Sequence, residues 1–158
     1  MTLLSALAVA LPAAGLVPAS PAAASSTAAA ATTWSCASSA WRYPSPDHEV
    51  RAMLCLGENL GQLTPSLTSE CKAGDSWGWK SAQCSASNLA YRLTAPNGTV
   101  YNGTLPNGTG YYWDIYGTTT HPCAVGEWTY EQTSTHSFNL DASGDTSQTQ
   151  KINVAACS

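Results

Sequence analysis

The sequence predicts an all-β fold, a single antiparallel β-sandwich stapled by three disulfides. Apolar and polar residues alternate with a period of two in short segments, and Gly, Asn and Pro separate these segments. No segment shows a convincing apolar period of 3.6 residues. An even number of cysteines behind an apolar leader predicts a disulfide framework formed outside the reducing cytosol. The six are Cys36, Cys55, Cys71, Cys84, Cys123 and Cys157.

The start of the chain predicts an export signal. Residues 2–17 are almost wholly apolar, and Pro12 and Pro18 interrupt the apolar stretch before it is long enough to span a membrane. Small residues before Ser25 offer a cleavage site. We therefore expect a secreted, extracellular protein that has no membrane contact after cleavage. The predicted organisation is a signal peptide over residues 1–24 (or to 31), a flexible tail over 25–33 and one sandwich domain over 34–158.

The charge of the chain argues against two classes of partner. Six Lys and Arg residues stand against ten Asp and Glu residues, and the basic residues are scattered along the sequence. Nucleic acids and anionic membranes are bound through clustered positive charge. We therefore expect neither a nucleic acid nor a membrane as partner.

The C-terminal half predicts a succession of short strands. In the first of them Leu89, Tyr91 and Leu93 share one face. The turn at residues 95–98 contains Pro and Asn-Gly, which favour the backbone angles of a hairpin, so that residues 99–105 return as a second strand. Later strands are predicted over residues 110–116, with Tyr111, Trp113 and Ile115 on one face; over 127–133, with Trp128 and Tyr130 inward; and over 136–140 and 148–154, separated by a turn at 141–145.

The N-terminal half is richer in cysteine and less regular. Its clearest strand has an inward face formed by Val50, Ala52, Leu54 and Leu56. We expect residues 57–70 to contain a loop, and further strands over residues 66–71 and 77–84. Neither half offers enough apolar surface for a core of its own, so both belong to one sandwich.

The disulfide pairing is only partly predictable. Cys123 and Cys157 are the only two cysteines in the last third of the chain, and we predict that they pair. For the other four, Cys36–Cys55 with Cys71–Cys84 and a nested arrangement both remain open. No C-x₂₋₄-C spacing indicates a zinc site.

No pattern in the sequence predicts a reaction centre. The chain lacks the H-E-x-x-H, G-x-S-x-G and Gly-rich phosphate-loop motifs. Residues 47–49, Asp-His-Glu, are interpreted as a solvated turn, since adjacent strand residues point to opposite faces. Asp114, Glu127 and Glu131 could supply the carboxylate pair of a glycosidase, but carboxylates outside a sandwich are usually only solvated. We expect no catalytic residues, no cofactor and no metal.

Aromatic residues are the better indication of function. Six Trp and seven Tyr stand against one Phe, which favours rings that carry a polar edge. Protein interfaces and sugar-stacking platforms both use exposed Trp and Tyr. The candidate binding residues are Tyr112 and Tyr116, facing outward on their strand; Trp77 and Trp79, on one face of theirs; and Trp41, Arg42 and Tyr43, in a loop.

Two resemblances to known families can be stated. Residues 91–99 (Tyr-Arg-Leu-Thr-Ala-Pro-Asn-Gly-Thr) followed by 125–130 (Val-Gly-Glu-Trp-Thr-Tyr) resemble a pattern of immunoglobulin-like and P-domain-like β-sandwiches in secreted bacterial proteins. This resemblance implies a hairpin turn and a core Trp. The triplet Trp41-Arg42-Tyr43 is similar to the one that α-amylase inhibitors of the tendamistat type present on a turn, which implies that these three residues are inhibitory contacts.

These observations predict a secreted, non-catalytic binding protein. The first hypothesis is an adaptor or a subunit of an extracellular assembly, whose partner is another secreted or cell-surface protein. The second is a carbohydrate- or cell-wall-binding module that recognises polysaccharide. The third is a small proteinaceous enzyme inhibitor of the α-amylase type.

Overall fold

The computed structural model describes residues 31–138 and 142–158. These residues form two antiparallel sheets that enclose a common core, as predicted. The predicted signal peptide lies outside the described residues, and the first strand begins at Thr33, the last residue of the predicted tail. The strands are β1 (Thr33–Ser38), β2 (Arg42–Ser45), β3 (His48–Asn59), β4 (Gln62–Asp75), β5 (Gly78–Ser81), β6 (Cys84–Thr94), β7 (Val100–Thr104), β8 (Gly108–Gly110), β9 (Tyr112–Tyr116), β10 (His121–Pro122), β11 (Gly126–Phe138) and β12 (Ala142–Val154).

The first sheet has seven strands and is built around the long hairpin of β3 and β4. The hairpin closes through Leu60 and Gly61, which both have positive φ, as a tight two-residue turn requires. β1 and β2 pair with the free edge of β3, while β10, β9 and β5 pair with the free edge of β4. The central hairpin therefore carries short edge strands on both sides along most of its length.

The second sheet has five strands in the order β12-β11-β6-β7, with β8 also paired to β6. β11 and β12 pair without interruption from Gly126 opposite Val154 to Phe138 opposite Ala142. The pairing of β11 with β6 shifts register between Thr133 and Thr135, which marks a β-bulge.

The core lies between the inner faces of the two sheets. The predicted inward faces of β3, β6 and β11 are buried, and Trp128 and Tyr130 are fully buried. Each large apolar side chain removed from water contributes about 1.5–3 kcal/mol. The polar edge of the Trp128 ring is satisfied, because Nε1 donates a hydrogen bond to the carbonyl of Ala124 at 2.8 Å.

One part of the interior is polar. Side chains from β11 and β12 that point inward bond to one another across the pair: Gln148 Nε2 donates to Gln132 Oε1 at 2.8 Å, and the Ser134 and Thr146 hydroxyls lie 3.0 Å apart. His136 is buried beside them, and burial lowers its pKa to about 4. This histidine is therefore neutral in the folded protein at neutral pH.

Two predicted boundaries in the N-terminal half are wrong. Residues 62–75 form one long strand, β4, in place of the predicted loop, because the turn is only two residues long. Trp77 lies in the turn between β4 and β5 and does not share a strand face with Trp79.

The C-terminal predictions also need correction. β11 continues to Phe138, although a separate strand was predicted over residues 136–140, and the described part of the predicted turn at 141–145 belongs to β12. Polar residues occupy the inward positions after Tyr130, so the apolar alternation stops while the strand continues. Tyr111 is exposed between β8 and β9, so it does not share the inward face of Trp113 and Ile115.

All six cysteines form disulfides. Cys123–Cys157 is paired as predicted, and the open alternatives resolve to Cys36–Cys55 and Cys71–Cys84. A disulfide typically contributes about 2–4 kcal/mol. Cys71–Cys84 is buried and links the two sheets, whereas Cys36–Cys55 joins directly opposed residues of β1 and β3 on the outside of the seven-stranded sheet.

Candidate binding face

The outer face of the seven-stranded sheet carries most of the exposed aromatic side chains of the described residues. We call it the aromatic face and define it by the outward residues of β1, β2, β3, β4, β5 and β9, together with Trp41, which directly precedes β2. Its aromatic members are Trp34, Trp41, Tyr43, Trp79, Tyr112 and Tyr116.

At one end of this face Trp34 lies across the central hairpin. It is paired with Gly57, and a Cβ atom on Gly57 would lie only 2.6 Å from the indole ring. The absence of a side chain at Gly57 therefore lets the ring lie flat on β3. The ring reaches Tyr116 of β9 on the opposite edge, with ring centroids 5.6 Å apart. Trp34 and Tyr116 are 41% and 55% exposed, so both rings face solvent.

The other end repeats this arrangement from the opposite side. Trp79 of β5 is paired with Gly74 of β4, and its ring lies over that glycine. It meets Tyr43 of β2, with ring centroids 6.0 Å apart. Trp79 is 43% exposed and Tyr43 is 63% exposed.

The two aromatic pairs lie far apart on one surface. Gly57 is paired with Thr64, and Gly74 follows ten residues later on β4. At a rise of about 3.3 Å per residue the two pairs are separated by roughly 33 Å along the sheet. A surface of this length suits an extended or macromolecular ligand.

Trp41 lies between the two ends and contacts basic side chains. The Lys72 ammonium lies 4.1 Å from the ring centroid and the Arg51 guanidinium lies 4.9 Å from it. These are cation–π contacts, each worth about 0.5–1 kcal/mol at a surface. Trp41 is thereby held half-buried against the sheet.

A shallow groove crosses the face next to the Trp34–Tyr116 pair. It consists of two adjoining depressions of about 230 Å³ and 130 Å³. Both depressions are lined by Met53, Thr68 and Tyr112. The larger one also contains Trp34, Tyr116, Asp114 and the Cys36–Cys55 disulfide, and the smaller one contains Ser38, Arg51 and Glu70.

Most charges on the aromatic face are compensated within it. Arg51 and Glu70 form an ion pair at 2.6 Å, and Lys72 lies 3.8 Å from Glu70 and 4.0 Å from Glu49. Beside Trp79, Lys80 pairs with Asp75 at 2.7 Å. The hydrogen bond from Lys80, with a second from the Trp77 backbone N–H, lowers the pKa of the Asp75 carboxyl. The face therefore presents little net charge to a ligand.

The structure brings together most of the predicted binding residues, but in two groups. Tyr112 and Tyr116 face outward as predicted, at the groove end, whereas Tyr43 and Trp79 meet at the other end. Trp77 is 88% exposed at the hairpin tip beside Trp79. The predicted loop over residues 41–43 is wrong, because Arg42 and Tyr43 belong to β2. Arg42 is exposed, and the Trp41 ring is half-buried against Lys72 and Arg51.

Sequence reasoning missed Trp34 and Asp114 as members of a binding face. Trp34 is two residues before Cys36, so the period of a strand places both side chains on one face, and this signal was present in the sequence. Asp114 stands between Tyr112 and Tyr116 on the same outward face of β9. The Asp114 carboxylate is oriented by the neighbouring strand β4, because Thr68 donates a hydrogen bond to its Oδ1, and the sequence does not show this contact.

The carboxylates considered for glycoside hydrolysis do not meet. Asp114 faces outward from the seven-stranded sheet, whereas Glu127 and Glu131 bond to Lys151 and Arg92 on the outside of the other sheet. Within residues 31–138 and 142–158, no three His, Cys, Asp or Glu side chains cluster as metal ligands would. No helix among these residues is long and apolar enough to cross a membrane.

No protein-family model matches the chain, and no curated protein matches it. The resemblances to immunoglobulin-like sandwiches and to tendamistat-type inhibitors therefore stay predictions.

Proposed function

We propose that the protein is an exported binding protein, and that the hairpin end of the aromatic face binds another secreted or cell-surface protein. The observation that carries this proposal is the group formed by Tyr43, Trp77 and Trp79, which we call the hairpin cluster. Trp77 is 88% exposed although Trp has the largest side chain, and it lies in the turn two residues before Trp79, which meets Tyr43. Export is supported by three disulfides, which persist in oxidising compartments.

The residue types of the hairpin cluster are those that dominate protein interfaces. Residues whose truncation costs about 2 kcal/mol or more are enriched in Trp, Tyr and Arg, and the hairpin cluster consists of one exposed Tyr and two exposed Trp. The β4–β5 turn is held by the Trp77 backbone N–H, which donates to Asp75 at 2.8 Å, and by the Lys80–Asp75 pair. A turn fixed in this way loses little entropy when it enters a partner's surface.

The inhibitor hypothesis receives less support from the geometry. Arg42 and Tyr43 are exposed, but Trp41 lies half-buried under Lys72 and Arg51. The three residues therefore do not form one continuous contact surface. A partner of the hairpin cluster would meet Tyr43 together with Trp77 and Trp79 in place of Trp41.

The test compares matched variants on the two faces of the molecule. The purified protein is used as bait in the culture medium of the producing organism, and captured proteins are quantified by mass spectrometry. We expect one partner to be captured by the wild type and by Thr133→Ala/Thr149→Ala, which changes only the five-stranded sheet. The Trp77→Ala/Trp79→Ala variant should bind that partner at least about thirtyfold more weakly, the factor that corresponds to about 2 kcal/mol. Unchanged capture by the Trp variant, or loss with the Thr variant, would contradict the proposal.

A further inference from the structure

The groove at the opposite end of the aromatic face is separate from the hairpin cluster and combines different chemistry. Exposed rings of Trp34, Tyr112 and Tyr116 border it, and Asp114 lies among them. Its two depressions together fall at the small end of the range of about 300–1,000 Å³ found for small-ligand sites. A groove of this size accepts a narrow ligand more readily than the surface of a folded protein.

We propose that this groove binds a neutral glycan chain. A sugar ring has an apolar face of C–H groups and a rim of hydroxyls, so it needs an aromatic surface together with hydrogen-bonding groups at the edge. Trp34 and Tyr116 provide the rings, 5.6 Å apart across the sheet. Asp114 provides the acceptor: Thr68 donates to Oδ1, and within the described residues no side chain donates to Oδ2.

The charge of the groove selects the class of glycan. Arg51 is engaged by Glu70 at 2.6 Å, so its positive charge is largely neutralised before any ligand arrives. Asp114 has no basic partner among the described ion pairs. An acidic polysaccharide would therefore be repelled, whereas the hydroxyls of a neutral glycan can donate to the carboxylate.

The floor of the groove is fixed before binding. The Cys36–Cys55 disulfide joins β1 to β3 in the groove, two residues along the strands from the Trp34–Gly57 pair, and β3, β4 and β9 are held by continuous antiparallel pairing. Rings and acceptor therefore need little reorganisation on binding, which favours affinity for a weakly interacting ligand such as a glycan.

Carboxylates also argue against a protein as the occupant. Asp and Glu are depleted in the buried cores of protein interfaces, and here Asp114 lies between the two outward tyrosines of β9. A protein surface placed on this groove would bury that carboxylate, whereas a glycan would hydrogen-bond to it.

The experiment titrates ¹⁵N-labelled, disulfide-intact protein with soluble hexasaccharides of β-1,4-linked glucose, N-acetylglucosamine and mannose, and with an acidic oligogalacturonide. We expect at least one neutral hexasaccharide to shift resonances of β1, β4 and β9, and the acidic one to leave them unchanged. Trp34→Ala should weaken that binding at least about tenfold, and Asp114→Asn should weaken it with the fold intact. Gly57→Ala, which displaces the Trp34 ring without removing it, should also weaken binding.

Trp79→Ala is the matched control, since it removes an equivalent ring at the hairpin end and should leave glycan binding unchanged. Failure of every neutral hexasaccharide to bind, preference for the acidic one, or shifts located elsewhere would each overturn the proposal. If the partner captured through the hairpin cluster also covers Trp34 and Tyr116 while no glycan binds, the groove belongs to a protein interface and the proposal is wrong. Conversely, glycan binding with no protein partner would overturn only the proposed function.

Discussion

The outer faces of the two sheets are both exposed to solvent, but they carry different types of residue. The five-stranded sheet is covered by hydroxyl and charged side chains, and Arg92–Glu131 and Lys151–Glu127 ion pairs join its neighbouring strands. None of its outward positions in the described strands is aromatic. The seven-stranded sheet instead exposes rings from both of its edges. The outer face of the five-stranded sheet therefore shows that strands of this fold can pair, and their outer surface can be hydrated, without exposed aromatic residues.

The aromatic pairs also have a structural role within the sheet. Trp34 covers Gly57 and Trp79 covers Gly74, and a ring laid over a strand glycine compensates for its missing side chain. Hydroxyl pairs across strands join the five-stranded sheet without any ring over a glycine, as at Ser137, whose hydroxyl donates to the Ser143 hydroxyl at 3.3 Å. The large exposed rings therefore exceed what strand pairing requires, which is the physical reason for our proposal that this face binds ligands.

The largest expected effect is that of acid on the free energy of unfolding of the whole sandwich. The pKa of His136 is about 4 in the folded protein and about 6.5 when unfolded, so only the unfolded chain binds this proton between those values. Stability should be constant above about pH 6.5 and should fall by about 3 kcal/mol as the pH decreases to 4. Urea unfolding between pH 4 and 7.5 measures this. Burial also lowers the pKa of His121, which adds a loss of the same sign.

His136→Asn is the control for the acid effect. It should reduce the slope of unfolding free energy against pH and leave the His121 contribution. A wild-type stability that is independent of pH, or a slope that the substitution does not change, would show that His136 is protonated in the folded state.

A smaller effect should separate the two glycines beneath the rings. Gly57→Ala should destabilise the fold by about 1 kcal/mol, because its Cβ would lie 2.6 Å from the Trp34 ring and push it off the sheet. At Gly74 the corresponding distance to Trp79 is 3.3 Å, so Gly74→Ala should be neutral or slightly stabilising, since Ala is favoured over Gly within a strand by about 0.5–1 kcal/mol. Chemical denaturation of both variants checks the difference, and equal effects would contradict the two ring positions.

The smallest effect is expected on the five-stranded face. Arg92 and Glu131 are both substantially exposed, and an exposed ion pair contributes about 0.2–1 kcal/mol. Arg92→Ala should therefore change stability by less than 1 kcal/mol and should not change binding of either ligand. A loss of binding in this variant would show that the five-stranded sheet takes part in binding, which would contradict the proposed location of both sites on the seven-stranded sheet.

The fold class could be predicted from the sequence because a strand with one buried face shows alternating apolar and polar residues, whichever strands it pairs with. The inward residues of β3 and β6 are those the alternation predicted, and Cys123–Cys157 followed from position along the chain. The end of β11 was missed because Ser134 and His136 occupy inward positions and are stabilised by hydrogen bonds to Thr146 on β12, which a sequence does not show.

The candidate site was predictable only in part, because it also depends on contacts between strands that are distant in the sequence. Outward Tyr112 and Tyr116 followed from strand period alone. Their proximity to Trp34 depends on β1 and β9 lying on opposite edges of the same central hairpin, which is long-range topology. Withdrawal of Trp41 depends on Lys72 and Arg51, which come from other strands.

The central claim is that the rings of the aromatic face serve binding and are not needed for folding. The most direct measurement replaces both ring–glycine pairs by the hydroxyl pairs typical of the other sheet, in one variant carrying Trp34→Thr, Gly57→Thr, Gly74→Thr and Trp79→Thr. Cross-strand Thr pairs should keep the free energy of unfolding within about 2 kcal/mol of the wild type. We predict that this variant folds with intact disulfides, captures no protein partner and gives no response to neutral hexasaccharides. Retention of both binding activities in the folded variant would contradict the claim.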